Sequence, residues 1–217
     1  MSWQQEIFSS FSLYGVTDLT TPDLSILAKI EQAYQGGVDI IQLRSKTLSD
    51  HQLFNLGLEI RKIATANKKL FFVNDRIDLA LALKADGVHI GQDDLPVLAI
   101  REILKKANCS MLVGKSTHTI EQAINTLAED VDYIGAGPIY QTPTKKDYQA
   151  VGLEFLNQVS AVAKKPFVAI GGIDESRLTE IKKAGGKRVA VVRALFEQDN
   201  VFEAAKNLKR IMNQGEL

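Results

Sequence analysis

Residues 38–46 read VDIIQLRSK. The first part is a near-continuous apolar run rather than a clean alternation of apolar and polar residues. That is the pattern of a parallel strand covered on both faces. Polar residues close the run, and Gln42, Arg44 and Lys46 share parity with Ile40. If the extended geometry persists, all three point to one side.

The same kind of run recurs along the chain. Besides residues 38–44 there are FSLYGVTD (11–18), KLFFVND (69–75), GVHIGQ (87–92), SMLVGKS (110–116), YIGAGPI (133–139), PFVAIGGI (166–173) and RVAVVRAL (188–195). Helical periodicity fills the intervals. Ile100, Ile103, Leu104 and Ala107 fall on one helical face, as do Val201, Ala205, Leu208 and Met212. Gly36-Gly37 and Gly185-Gly186 punctuate helix ends just before strands. Eight β-then-α units in 217 residues come to roughly 27 residues per unit, enough for a compact (β/α)8 barrel. A doubly wound open sheet is the competing architecture. The count of eight and the lack of a full GxGxxG after the first strand favour the barrel. No low-complexity linker interrupts the pattern, so residues 1–217 read as a single α/β domain of TIM-barrel type with its active site at the C-terminal strand ends.

Bulk properties narrow the function. Lysine plus arginine number 26 and aspartate plus glutamate 26, which gives no global pull toward nucleic acid or membrane. Anion binding must then be local. The one cysteine, Cys109, excludes an intramolecular disulfide and a cysteine-based zinc cluster, and reads as a small residue at a helix-to-strand junction. No apolar run approaches the length of a membrane span. The N-terminus lacks the basic start and apolar core of a signal peptide, so a cytoplasmic location is expected. Oligomeric state is left open.

In a barrel of this type the informative residues are the polar ones that close each apolar run. Glutamine and arginine within a strand are costly without partners, and Arg44 with Lys46 suits a phosphate or diphosphate; a basic loop tip in water is the plainer alternative. Strand 3 ends in Asn74-Asp75. Asp75 could cap the next helix, and Asp93 or Asp94 could favour the dipole of the helix begun near Pro96. Acids ending adjacent strands beside Arg44 and Lys46 also fit a Mg²⁺-diphosphate site, since Mg²⁺ is held by one or two carboxylates plus water and substrate phosphate. Ser116 and His118 share parity at the end of strand 5, and either a ligand or helix capping could use them. His51 and His89 are expected to have unremarkable structural roles. Gly171 and Gly172 close strand 7, where glycine-rich loops after strands 7 and 8 commonly cradle phosphate, and Arg193 could add charge there.

With these residues in view, the chain resembles the thiamine phosphate synthase family along nearly its whole length. The resemblance is carried by QLRSK, VND, GVHIGQDD, GKSTHT, GPIYQTPTKKD, AIGGI and VAVVRAL, in that order on successive strand ends. It implies the joining of a pyrimidine carbinol diphosphate to a thiazole phosphate with release of pyrophosphate. It further implies a diphosphate clamp of Gln42, Arg44 and Lys46 in a substrate-binding segment that includes Leu43 and Ser45, a pyrimidine contact at Asn74, and Mg²⁺ at Asp75 and Asp94. Ser116 and Lys145 would face the diphosphate. Thr142, Pro143 and Thr144 would hold the thiazole phosphate with the Gly171-Gly172 turn and the Val192-Arg193 region. Arg44, Lys46, Lys145 and Ser116 are the catalytic candidates. Two departures stand out: Ser45 replaces an acidic residue found in many relatives, and Arg193 replaces a serine. Residues 137–147, GPIYQTPTKKD, would reach both anion sites and could close over them. The rival readings are a thiazole tautomerase using His118 as acid and base, another phosphosugar barrel enzyme, and a non-catalytic binder of the same phosphates.

Overall fold

Each of the eight apolar runs contains a strand. The computed structural model describes residues 2–142 and 149–214. The strands are β1 Leu13–Val16, β2 Ile40–Leu43, β3 Leu70–Asn74, β4 Gly87–Ile90, β5 Leu112–Thr117, β6 Tyr133–Ala136, β7 Phe167–Ile170 and β8 Val189–Val191. They pair in parallel in sequence order, and β8 returns to β1 through Leu13 opposite Val189, closing the barrel. The helices are α1 Trp3–Ser10, α2 Ser25–Gln35, α3 Asp50–Ala66, α4 Ile77–Ala82, α5 Val97–Lys106, α6 Ile120–Ala128, α7 Gly152–Val162, α8 Leu178–Lys183, α9 Arg193–Phe196 and α10 Val201–Asn213. Among the described residues no helix is long and apolar enough to cross a membrane.

The continuous apolar reading of the strands has a direct cause. Alternate side chains fill two separate cores. Tyr14, Val16, Ile40, Leu70, Phe72, Tyr133, Val168 and Ala190 pack inside the barrel. Leu13, Ile41, Leu43, Phe71, Val73, Val88 and Val113 pack outward against the helices. In β2 this sends Ile40 and Gln42 inward while Ile41 and Leu43 face the helical shell. Small residues let the large rings fit: a Cβ added at Gly114 would lie 2.1 Å from the Tyr133 ring, and one at Gly87 2.4 Å from Phe72.

Two local features depart from the pattern in the sequence. Residues 3–10 form α1, opened by a reciprocal capping box between Ser2 and Gln5. It lays Trp3, Ile7 and Phe8 against the interior cluster, with the Phe8 ring 5.3 Å from Phe11 and 5.9 Å from Tyr133. This seals the N-terminal end of the barrel. The run 188–195 is not one strand. It stops at Val191, and Arg193–Phe196 turns helical, with Leu195 buried beside Gly15 of β1. A short apolar run is satisfied equally by strand or helix, so periodicity alone does not separate them.

At the N-terminal end a single carboxylate ties three elements together. Asp39 is buried and accepts from Ser12 N at 3.0 Å, Leu13 N at 3.1 Å and Lys69 Nζ at 3.2 Å. Lys209 of α10 also donates to it. Removing one partner of a buried ionic cluster leaves the others uncompensated. Asp39→Ala is expected to cost about 3 kcal/mol of unfolding free energy, read from urea denaturation. Turnover should be unchanged below the transition, because the cluster lies at the opposite end from the strand C-termini.

Candidate active site

The C-terminal strand ends surround a cavity of about 1050 Å³. Gln42, Arg44, Lys46, Asn74, Asp75, Asp94, Ser116, His118, Thr142, Gly171, Gly172, Val192 and Arg193 all line it. The side chain of Leu43 belongs to the outer core instead. Ser45 also turns away: its Oγ donates to the Leu19 carbonyl at 2.6 Å and accepts from Leu48 N at 3.0 Å, bracing the loops after β1 and β2. Only the backbone of these two residues remains for a ligand. Pro143, Thr144 and Lys145, with the rest of the segment 143–148, lie outside the described residues.

On the β2 side the cations come already paired. Arg44 is buried and its guanidinium donates to Asp18, a partly exposed carboxylate just beyond β1. Lys46 Nζ donates to Asp75 Oδ2 at 2.7 Å. Asp75 does not cap α4. The N-cap is Arg76, which has no side-chain capping bond. Asp75 sits at φ 62°, a left-handed conformation that aspartate tolerates better than most residues. Its N–H donates to the His89 carbonyl at 2.7 Å. This turn delivers the carboxylate to the cavity rim rather than to the helix.

Asp94 faces Asp75 across that rim. Its Oδ2 accepts from Gly91 N at 2.6 Å, folding the loop after β4 back on itself. Burial pushes the Asp94 carboxyl above its ordinary range, and the neighbouring Asp75 pushes the same way, against the Gly91 N–H and Lys46. Two carboxylates held together at such a cost form a donor set suited to a hard divalent cation. Among the described residues no group of three or more His, Cys, Asp or Glu comes together to hold a metal. A cation bound here would need water and substrate oxygens to complete its shell, as Mg²⁺ commonly does.

On the β7 side Gly171 and Gly172 have φ of 101° and 63°. A Cβ on Gly171 would lie 2.4 Å from Pro138 Cβ, and one on Gly172 2.7 Å from the Gln141 carbonyl. Both positions therefore require glycine. Arg177 fastens this turn to the loop after β6. It donates to the Gly172 carbonyl and lies 4.3 Å from the centre of the Tyr140 ring. The Tyr140 hydroxyl in turn donates to Glu180 at 2.5 Å. Arg193 opens α9 at the same rim, so the turn is flanked by two guanidinium groups.

Between the two sides runs a polar chain that the sequence did not disclose. Gln42 Nε2 donates to the Tyr14 hydroxyl at 2.8 Å, and the Tyr14 and Tyr133 hydroxyls lie 3.2 Å apart. The Tyr133 hydroxyl is 2.9 Å from His89 Nδ1, and His89 Nε2 is 2.8 Å from Ser116 Oγ. Gln92 Nε2 donates to the Ser116 carbonyl at 2.6 Å. Burial pushes both phenols up, so they stay protonated at neutral pH. His89, expected to be unremarkable, is thus at the centre of the cavity floor. His118 also lines the cavity, its Nδ1 directed at the Gly137 carbonyl.

A family model described as thiamine monophosphate synthase matches residues 13–195. A thiamine-phosphate synthase of Persephonella marina is 44% identical over 202 residues, covering 93% of this chain and 95% of that protein. One from a Synechocystis species is 41% identical over 197 residues, 91% of this chain and 56% of that protein, so the chain spans about half of that relative. The solved thiamine phosphate pyrophosphorylase from Pyrococcus furiosus superposes with a TM-score of 0.84 at 31% identity, covering 95% of this chain and 97% of that one. With the motifs standing on the strand ends of a closed eight-stranded barrel, the chain belongs to the thiamine monophosphate synthase family.

Proposed function

We propose that this chain is a transferase, a thiamine-phosphate synthase that condenses 4-amino-2-methyl-5-(diphosphooxymethyl)pyrimidine with a thiazole phosphate, giving thiamine phosphate and pyrophosphate. The observation that carries this reading is the pairing of two anion-binding clusters on one cavity mouth. Arg44, Lys46 and Ser116 stand beside the Asp75–Asp94 pair, and the Gly171-Gly172 turn with Arg193 stands across from them.

The reaction breaks the bond between the pyrimidine methylene and the bridging diphosphate oxygen. The electron pair leaves with that oxygen, and the aminopyrimidine shares the positive charge left on the methylene. The thiazole nitrogen then donates its lone pair to the methylene, forming the C–N bond. No proton need be removed, so no general base is required. Arg44, Lys46 and Ser116 stabilise charge on the leaving oxygens, the electrostatic route that dominates in such sites. Lys145, outside the described residues, is assigned the same task. Asp75 and Asp94 would hold Mg²⁺, which when bound supplies positive charge to the departing diphosphate. Gln42 joins Arg44 and Lys46 in holding the diphosphate, and Asn74 orients the pyrimidine. Thr142, Pro143 and Thr144, the glycine turn and the Val192-Arg193 corner hold the thiazole phosphate, so that orientation of two reactants supplies much of the remaining rate. A cytoplasmic setting accords with the single, partly buried Cys109.

The tautomerase reading draws on His118, which lines the same cavity. The two separate on incubation with thiazole phosphate alone and then with the pyrimidine diphosphate added. The synthase leaves the first mixture unchanged and releases pyrophosphate in the second. Isomerisation of the thiazole alone, or binding of both compounds without turnover, would contradict the proposal.

A further inference from the structure

We propose that Tyr133, acting through His89, is a positioning residue that fixes the direction of the Ser116 hydroxyl so that it donates into the diphosphate side of the cavity. The inference rests on the assignment of Ser116 to the diphosphate made above. Tyr14 and Tyr133 are fully buried and Gln42 and Ser116 nearly so, so each hydroxyl proton has few places to go. With the His89 ring neutral, an unbroken relay along Gln42–Tyr14–Tyr133–His89–Ser116 runs in one of two senses.

In the first sense Gln42 donates to Tyr14 at 2.8 Å. Tyr14 then donates to Tyr133 and Tyr133 to His89 Nδ1. The neutral ring must hold its proton on Nε2, which donates to Ser116 Oγ at 2.8 Å. Ser116 has then accepted within the chain, and its own proton points into the cavity. In the opposite sense Ser116 spends its proton on His89 Nε2, His89 donates from Nδ1 to Tyr133, and a lone pair of Ser116 faces the cavity. A phosphate oxygen only accepts, so a bound diphosphate selects the first sense. A phenol at position 133 that donates to Nδ1 favours that sense in advance, which lowers the ordering cost of binding.

The test is a ¹⁵N–¹H long-range correlation spectrum of the histidine rings, recorded with inorganic pyrophosphate and Mg²⁺ as the probe. The chain has three histidines, so single substitutions assign the signals. The expected result is His89 protonated on Nε2 and bare on Nδ1. Tyr133→Phe keeps the ring that fills the barrel and removes the donor. It is expected to abolish that tautomer preference and weaken pyrophosphate binding about fivefold. Tyr14→Phe, one link further back, should act in the same direction by less. A merely structural role for Tyr133 would change the melting temperature without moving the tautomer. A proton on Nδ1 in the pyrophosphate-bound chain, or a Tyr133→Phe variant with unaltered tautomer and affinity, would overturn the relay alone. Failure of pyrophosphate to bind the unchanged chain would bring down the diphosphate assignment, and the relay with it.

Discussion

Arg44→Ala is expected to lower kcat/KM for the pyrimidine diphosphate by about 10²–10³-fold, the range seen when one preorganised donor to developing negative charge is removed. The fold should survive. The partner left behind, Asp18, has a side chain 33% exposed, so water can take over its solvation at small cost. Arg44→Lys should recover little. Its ammonium is a point charge, whereas the guanidinium reaches both Asp18 and the cavity from a buried stem and offers a planar fork to phosphate oxygens. Steady-state kinetics with each substrate varied in turn would check this. The loss should fall on kcat as well as on the KM of the pyrimidine diphosphate, because charge on the leaving oxygens grows toward the transition state. An Arg44→Ala chain within threefold of the parent would remove Arg44 from the chemistry.

Replacing Asp75 and Asp94 together with asparagine is expected to abolish the Mg²⁺ dependence of the rate and to lower turnover at saturating Mg²⁺ by about 10²-fold or more. The Asp75 change also leaves Lys46 without its ion-pair partner. Stability should move the other way. The folded Asp94 carboxyl holds its proton more tightly than the unfolded chain does, mainly through burial and next through Asp75. The folded state therefore binds more protons than the unfolded state between the ordinary carboxylate value of 3.8 and the higher folded value. Stability falls as pH rises through that window. Without Mg²⁺ at neutral pH, Asp94→Asn should thus show a higher urea midpoint than the parent, and the gain should vanish in acid. Asparagine can still accept the Gly91 N–H through its amide oxygen, so the loop is kept. A variant that was both destabilised at neutral pH and still stimulated by Mg²⁺ would remove Asp94 from the cation site.

The residues that could be read from sequence and those that could not differ for physical reasons. Gln42, Arg44 and Lys46 were legible because strand parity is strict and polar side chains in an apolar run demand a partner. Asp75 was ambiguous because an aspartate ahead of a helix usually caps it; only its left-handed backbone, fixed by the bond to the His89 carbonyl, turns it to the cavity. Tyr14 and Tyr133 lie 119 positions apart, and each looks like one more core aromatic until the barrel closes and their hydroxyls meet. Arg177 and Asp18 were invisible for a similar reason, since their partners Gly172, Tyr140 and Arg44 are set by loop geometry rather than by spacing. The end of β8 is not separable from a helical turn by pattern, because the apolar residues Val192 and Leu195 suit either conformation. The eight-stranded barrel itself was legible because its inner and outer cores draw apolar residues from both faces of strands such as β1, β2 and β3.

The joining of two phosphorylated substrates at one cavity mouth is tested most directly by measuring thiamine phosphate and pyrophosphate together from the unchanged chain supplied with both substrates, with and without Mg²⁺. The prediction is equal molar amounts of the two products, formed only when both substrates and Mg²⁺ are present. Pyrophosphate without thiamine phosphate, or no product at all in the complete mixture, would contradict it.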